Sequence, residues 1–471
     1  MNNIPNSKNY RWYVLATVST GTFMATLDSS IVNVALPTIS KDLYSNLSSL
    51  QWVVTAYLLT ISSLLPVFGR VADLLGRKKV YSLGFLIFTL GSVLCGVSQS
   101  IWFLVAMRVL QAIGASMLMS NSAAIVISIF PPQERGRALG LTGTVVALGS
   151  LTGPALGGIL IGLASWHLIF FINLPIGLIG FSMSRIILPA DKPNKDQESF
   201  DFAGALLFTC GMISLLFGIN NGESWGWTSP FIYSSIIIGV LLLVMFTFTE
   251  GRVDHPIIDF SMFRIRPFLV GNLSGWLSFT AMFANAMLLP FYLQQILNYS
   301  PYQVGLLMTV FPITMAIIAP LSGNASDKFG PMLLTSAGLG IIAIGLFYYS
   351  TLTPESQYYQ IIPGSLLLGL GSGMFQSPNN SSVMSSVPSR KLGVAGGINS
   401  LVRNAGMITG IAFSVSLFEA LGGVTTPQPG QVAIFMSAYH TVMLVAMGIA
   451  LFAVFISLNR NSYAKGNEPS A

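Results

Sequence analysis

The chain runs to 471 residues, of which 53% are hydrophobic and only 8% charged, with a formal net charge of +6. A soluble globular protein carries roughly 25% charged residues, so this composition belongs to a chain solvated by a bilayer. It excludes a soluble globular domain, and the basic surplus, scattered over short loops between apolar runs, excludes a nucleic-acid-binding face.

The first ten residues are polar and lead into an apolar run of about 25 residues without a small-residue cleavage site, which reads as a retained first span. Inside it, TFMATLDSSIVNVALP (22–37) carries one carboxylate, Asp28, about midway along a stretch otherwise free of charge. An ionised side chain at that depth costs roughly 2.5–3.5 kcal/mol on insertion scales, so an acid there points to function by default. The plainer alternative is that Asp28 caps a helix break or pairs with a buried arginine. Desolvation favours a protonated acid and a nearby guanidinium an ionised one, so the two together would leave it able to titrate.

Fourteen apolar runs in all are long enough to cross about 30 Å of hydrocarbon as helices. They fall near 12–36, 50–69, 80–98, 101–121, 137–161, 167–188, 201–220, 231–249, 268–293, 303–323, 331–350, 359–382, 392–418 and 432–457. With the N-terminus inside, the even-numbered loops and both tails hold every Lys and Arg except three. Lys41 falls outside, and Arg108 and Arg403 lie within spans. That asymmetry predicts an integral protein of the cell membrane with both termini cytoplasmic. The expected fold is an all-α polytopic membrane protein with 14 transmembrane helices: a six-helix bundle at 1–190, a linker and inserted helix pair at 191–255, and a second six-helix bundle at 256–471. One internal echo supports two parallel halves. GRVADLLG (69–76) returns as GNASDKFG (323–330), both of the form GxxxDxxG at a helix-to-helix turn.

In the first of these turns Gly69 and Gly76 permit a tight bend, and Asp73 sits among Arg70, Arg77, Lys78 and Lys79. Such a cluster can latch the two halves through charge-assisted hydrogen bonds, or serve only as a topology anchor. Span 4 carries the second intramembrane charge, Arg108, with Gln111 on the adjoining turn suggesting a polar interior face. Arg108 would hold a nearby carboxylate ionised or order its water, or else form a simple structural pair. In span 5, Gly149, Gly153 and Gly157 recur at four-residue spacing along one face, with Pro154 inviting a bend and Gly158 following. Close packing against the opposite half, sealing the outer side, is expected; generic small-residue packing is the alternative. Arg403, within NSLVRNAG, is expected to hydrogen-bond between helices.

Met24, Asp28 and Ile31 share a face of span 1. Tyr57, Trp276, Phe279, Phe283, Phe311, Met315, Phe375 and Asn379 are polarizable or polar groups on spans expected near the centre, and are candidates for lining a cargo path. Aromatic faces suit lipophilic cations. No loop is long enough for a soluble domain, and His167, His255 and His440 lie far apart. A hydrolase triad, zinc site or phosphate loop finds no candidates, so no enzyme activity, metal or cofactor is expected. Cys95 and Cys210 sit inside apolar runs and read as packing residues.

These stretches carry a family resemblance. GRVADLLGRKKV (69–80) resembles the signature loop of the major facilitator superfamily, G-x-L-a-D-r-x-G-r-k, and RVLQAIGAS (108–116) its fourth-helix motif, with Ala112 in the usual glycine place. GSLTGPALGG (149–158) is similar to the fifth-helix motif of antiporters. LDSSIVNVALP (27–37) and WHLIFFINLPIG (166–177) resemble motifs of the fourteen-helix drug/proton antiporters, with His167 and Leu168 replacing Arg and Trp. The resemblance implies a multidrug efflux pump: a proton-coupled antiporter exporting small amphipathic, often cationic compounds by alternating access, its Arg108 tied to proton coupling. Cargo, protons and bilayer are then its partners, with no nucleic acid, and a monomer is expected. A dedicated exporter of one endogenous metabolite, siderophore or lipid is the nearest alternative, and a non-transporting membrane sensor or scaffold the alternative of a different class. With no other acid deep in any span, one proton per turnover is expected.

Overall fold

The structure, a computed structural model, describes residues 9–189, 202–250 and 260–460 apart from 132–133, 227, 389–391, 426 and 429. A few side chains inside helices, Asp73 and Asp327 among them, also lie outside the described set. In hydrocarbon no water can satisfy backbone polar groups, so each apolar segment must close its own hydrogen bonds as a helix. All regular structure among the described residues is helical. In chain order the α-helices are α1 (Tyr10–Asp42), α2 (Leu47–Leu75), α3 (Arg77–Gly96), α4 (Ile101–Ile129), α5 (Arg135–Leu163), α6 (Leu168–Phe171) and α7 (Asn173–Ile187). There follow α8 (Phe202–Trp225), α9 (Pro230–Glu250), α10 (Arg266–Phe291), α11 (Pro301–Phe329), α12 (Pro331–Tyr349), α13 (Tyr358–Ser385), α14 (Leu392–Ala420) and α15 (Val432–Leu458). Polar residues set several starts: Asn46 accepts from the Ser49 amide at 2.9 Å, and Ser300 with Gln303 forms a capping box on α11.

α6 and α7 join through a helical Ile172 into one rod. Among the described residues, ten rods are long and apolar enough to cross a membrane. The other four are α1, α5, α8 and α13. α5 and α8 contain shorter apolar helices, Leu148–Leu163 and Ala203–Ile219. α1 and α13 are diluted by polar groups, Thr22, Thr26, Asp28 and Ser30 in one and Ser365, Ser372, Gln376 and Asn379 in the other.

The two halves repeat one another. α1 packs on α5 as α10 packs on α14, α2 on α4 as α11 on α13, and α3 on α4 as α12 on α13. The sequence echo has a matching backbone: Gly76 and Gly330, at φ of 98° and 81°, each end one helix and begin the next, a conformation that favours glycine. The halves meet through α5 with α11, α2 with α14 and α1 with α10, while α8 lies beside both α2 and α14 and carries α9 on its outer side. α9 exposes Ile237, Leu241, Met245 and Phe248, the surface expected of a helix facing lipid.

Polar contacts join the halves at the Asn46 end. The Ser48 amide donates to Glu419 at 3.1 Å and its hydroxyl donates to the same carboxylate. Gln294 donates to the Val34 carbonyl at 3.0 Å and accepts from Thr38 at 3.4 Å.

Candidate functional site

Five helices converge on Asp28, which is 0% exposed. Arg108 on α4, 1% exposed, donates through one terminal nitrogen to Asp28 Oδ2 and, at 2.7 Å, to Gln111 Oε1. Its Nε donates to the Val53 carbonyl of α2 at 3.0 Å. Gln111 Nε2 donates to Asp28 Oδ1 at 2.7 Å and also to Ser92 of α3. Asn173, the first residue of α7, donates from Nδ2 to Asp28 Oδ1 at 3.0 Å. The guanidinium carbon lies 4.0 Å from the centre of the Tyr57 ring, a cation–π contact. A buried ion pair is tolerated only when its remaining donors and acceptors are met, and this cluster meets nearly all of them. Asn173 Oδ1 is the exception, buried without a partner.

The expected proximity of Arg108 and Asp28 is therefore a direct pair, and Asp28 is no free carboxylate. Gln111 was legible as a polar interior group. Asn173 was not singled out, although it stands in the INLP part of a quoted motif. Ser92 gives no signal in sequence, since serine is common in apolar runs.

The span-5 glycines divide. Gly149, Gly153 and Gly157 face α1 of their own half: a Cβ at Gly153 would lie 2.8 Å from Ser30 Cβ and 3.0 Å from the Ile31 amide. Gly158, about 100° further round the helix, meets the opposite half, where a Cβ would lie 2.5 Å from the Pro301 carbonyl and 3.1 Å from Gly305 Cα, and Gly162 one turn on meets Tyr302 more loosely at 3.8 Å. The Pro154 carbonyl abuts Gly305 from the same side. The close approach between halves thus belongs to Gly158 and Pro154, a correction to its assignment along the four-residue stripe.

Among the candidates for cargo contact, Met24 is fully buried and Tyr57 belongs to the Arg108 cluster. Phe375 packs against α12 at Gly338, and Asn379 donates to the Gly271 carbonyl and accepts from Arg460. These four are committed to packing in this state, because burial and polar pairing outweigh an aromatic or amide's availability to cargo. Trp276, Phe283, Phe311 and Met315 are partly exposed, and Met315 lies 4.0 Å from the Gln376 amide. Arg403 departs from expectation: its Nε is buried without a hydrogen-bond partner. The α10–α14 contact runs instead through Gly406 and Gly410, where a Cβ would meet Phe279 Cβ at 2.9 Å and Phe283 Cβ at 3.1 Å, and through the Thr280 hydroxyl, which donates to the Gly406 carbonyl at 3.2 Å.

In the 69–80 stretch, Gly69 lies inside α2, where a Cβ would come 4.0 Å from Ser120 Cβ of α4, and Arg77 donates to the Ala124 carbonyl of α4 at 3.3 Å, within its own half. The Asp73 side chain lies outside the described residues. If it latches the halves in one access state, Asp73→Asn removes charge pairing specific to that state. Turnover in reconstituted vesicles is then expected to slow while equilibrium cargo binding stays near wild type; a wild-type turnover rate would leave the turn a topology anchor.

The Major Facilitator Superfamily profile matches residues 18–411 and 271–470. The chain is 40% identical over 408 residues to the riboflavin transporter RibZ of Clostridioides difficile, covering 87% of this chain and 88% of that protein. It is 31% identical over 413 residues to the multidrug resistance protein Stp of Mycobacterium tuberculosis, covering 87% and 76% respectively. Among solved structures, a bacterial homologue of the human lysosomal transporter Spinster, in an inward-facing and unoccupied conformation, superposes with a TM-score of 0.68 at 16% identity. That superposition covers 96% of this chain and 97% of the other. Two similar halves around a buried acid–arginine pair, and matches across nearly the whole length, have one meaning: the chain belongs to the Major Facilitator Superfamily of membrane transporters.

Proposed function

We propose that this transporter is a proton-coupled antiporter that moves small amphipathic compounds by alternating access. The proposal places fourteen spans in the membrane, both termini in the cytoplasm, and one active chain per transporter, divided at 1–190, 191–255 and 256–471. One observation carries the coupling: the buried Asp28, held by Arg108, Gln111 and Asn173 where helices of the first half converge. Nothing in packing requires an acid there, and its intramembrane burial costs several kcal/mol. The motif residues Gly69, Asp73, Gly76 and Arg77 supply the latch, Gly158 and Pro154 the closure between halves, and Gly149, Gly153 and Gly157 the close packing of α5 on α1.

The charge of the cargo follows from the same pairing. While ionised, Asp28 is balanced by Arg108 and offers no net charge to a cation. On the other half, Arg403 has a buried Nε without a hydrogen-bond partner among the described residues. An uncharged amphiphile therefore asks no counter-charge of the Asp28 site, whereas a cationic one competes with Arg108 for Asp28. A second reading, a dedicated carrier of one flavin-like metabolite, is favoured by the 40% identity to a riboflavin transporter.

Purified protein in vesicles with an imposed pH gradient tests both readings, using riboflavin, an uncharged amphiphile and a cationic dye. Proton-driven flux of several compounds is the expected result. Saturable flux of riboflavin alone selects the dedicated carrier, and no gradient-driven flux of any compound would leave a sensor or scaffold.

A further inference from the structure

Asn173 carries the one buried acceptor of the Asp28 cluster that has no partner among the described residues. Its Nδ2 donates to Asp28 Oδ1 at 3.0 Å, while its Oδ1 is buried and unpartnered, on a side chain that is 0% exposed. Gln111 donates to the same carboxylate oxygen but is held at both ends, since its Oε1 accepts from Arg108 at 2.7 Å and its Nε2 also donates to Ser92. Asp28 Oδ2 faces the guanidinium, which disfavours a proton there. Protonation therefore falls on Oδ1, where it sets a new O–H against two N–H donors. A buried donor without an acceptor is costly, so some group must change sides.

We propose that Asn173 is this switch, a positioning residue that binds the carboxylate through its amide nitrogen and the protonated acid through its amide oxygen. A proton from water on the open side bonds to Asp28 Oδ1; the hydrogen bond from Asn173 Nδ2 breaks, and one from the acid to Asn173 Oδ1 forms. No electrons are transferred, and return of the proton to water reverses both changes. The amide needs only a half-turn about its terminal torsion, which is broad and roughly two-fold. The other charged or titratable groups around Asp28 are Arg108 on α4, Tyr57 on α2 and Cys95 on α3, whose sulfur lies 3.9 Å from Gln111 Oε1. α5, α7, α10 and α11 carry charged residues only in their terminal turns. Asn173 is thus the acceptor within reach of the new proton.

The inference rests on the proton-coupling reading, and the test separates the two. Asn173→Leu removes both amide ends at similar size, and Asn173→Thr keeps a hydroxyl able to donate or accept. In vesicles, the ratio of proton-driven efflux to cargo-for-cargo counterflow is expected to fall about ten-fold in Asn173→Leu, the order of effect of one orphaned buried polar group. Asn173→Thr is expected to recover most of that ratio. Infrared difference spectra should show a protonated-acid carbonyl band that is absent in Asp28→Asn and displaced in Asn173→Leu. An unchanged ratio, or an undisplaced band in Asn173→Leu, overturns the switch. Retained proton-driven efflux in Asp28→Asn overturns the coupling reading itself.

Discussion

Asp28→Asn is expected to reduce proton-driven transport to the leak of empty vesicles while leaving a folded, membrane-inserted protein. The amide keeps one oxygen, which still accepts from Arg108, while its NH2 takes the place of the oxygen that accepts from Gln111 and Asn173, as the O–H of the protonated acid would. What is lost is the negative charge. Removing one member of a buried pair costs about 3–5 kcal/mol because the other charge stays behind unpaired. Asp28→Asn with Arg108→Gln removes both charges, and is expected to restore thermal stability without restoring coupling. That contrast separates a proton site from a structural pair: if coupling returned with stability, the pair would be structural. A stoichiometry follows too. If one proton enters per cycle as proposed, export of a neutral compound carries one charge inward and gains about 2.3 kcal/mol per 100 mV, so an imposed voltage alone should drive it. Export of a monovalent cation should respond to the pH gradient and not to voltage. Voltage-insensitive transport of an uncharged cargo would mean that a second group moves charge.

The sequence shows where charges are buried more readily than where they meet. Asp28 and Arg108 each stand out because an isolated charge in an apolar run is costly, and cost is visible residue by residue. Their pairing is not, because it depends on how α1 and α4 turn toward each other, which the packing of five helices decides. Asn173 escapes notice for the opposite reason: a neutral amide in an apolar run carries little insertion penalty, and only its neighbours give it meaning. The aromatics on central spans show the same limit. Phe375 and Phe311 look alike in sequence, yet one is fully buried against α12 and the other partly exposed. Asn379 is claimed by Arg460, a residue from the far end of the chain. The closing glycines of the repeated GxxxDxxG stretch, Gly76 and Gly330, were legible, because glycine at positive φ is a local requirement that a sequence can state by itself. Gly69 and Gly323 lie inside α2 and α11, and the Asp73 and Asp327 side chains lie outside the described residues.

Gly158→Leu is expected to stall the transporter by preventing the Asn46 end from closing. At this point α5 and α11 approach so closely that a single Cβ would meet the Pro301 carbonyl at 2.5 Å and both Gly305 and Tyr302 Cα within 3.2 Å. These are backbone atoms, which cannot move aside as a flexible side chain can. Forcing extra methylenes into such a contact costs about 1–3 kcal/mol. The cost applies only where the halves touch, so it acts as a bias between access states. A bias of that size shifts their ratio by about 5- to 150-fold, enough to depopulate the closed end if the two states are nearly balanced. Gly153→Leu makes a useful contrast, since its clash with Ser30 and Ile31 lies within one half and should cost stability in both states alike. Spin labels at the exposed Lys41 on α1 and Tyr302 on α11 would report the separation of the halves at this end. A longer distance in Gly158→Leu, unchanged in Gly153→Leu, is the expected pattern, together with transport lost in the first variant at unaltered thermal stability. Equal distances in both variants would mean that the α5–α11 contact persists through the cycle, and that closure is set instead by Ser48 with Glu419 and by Gln294 with Val34.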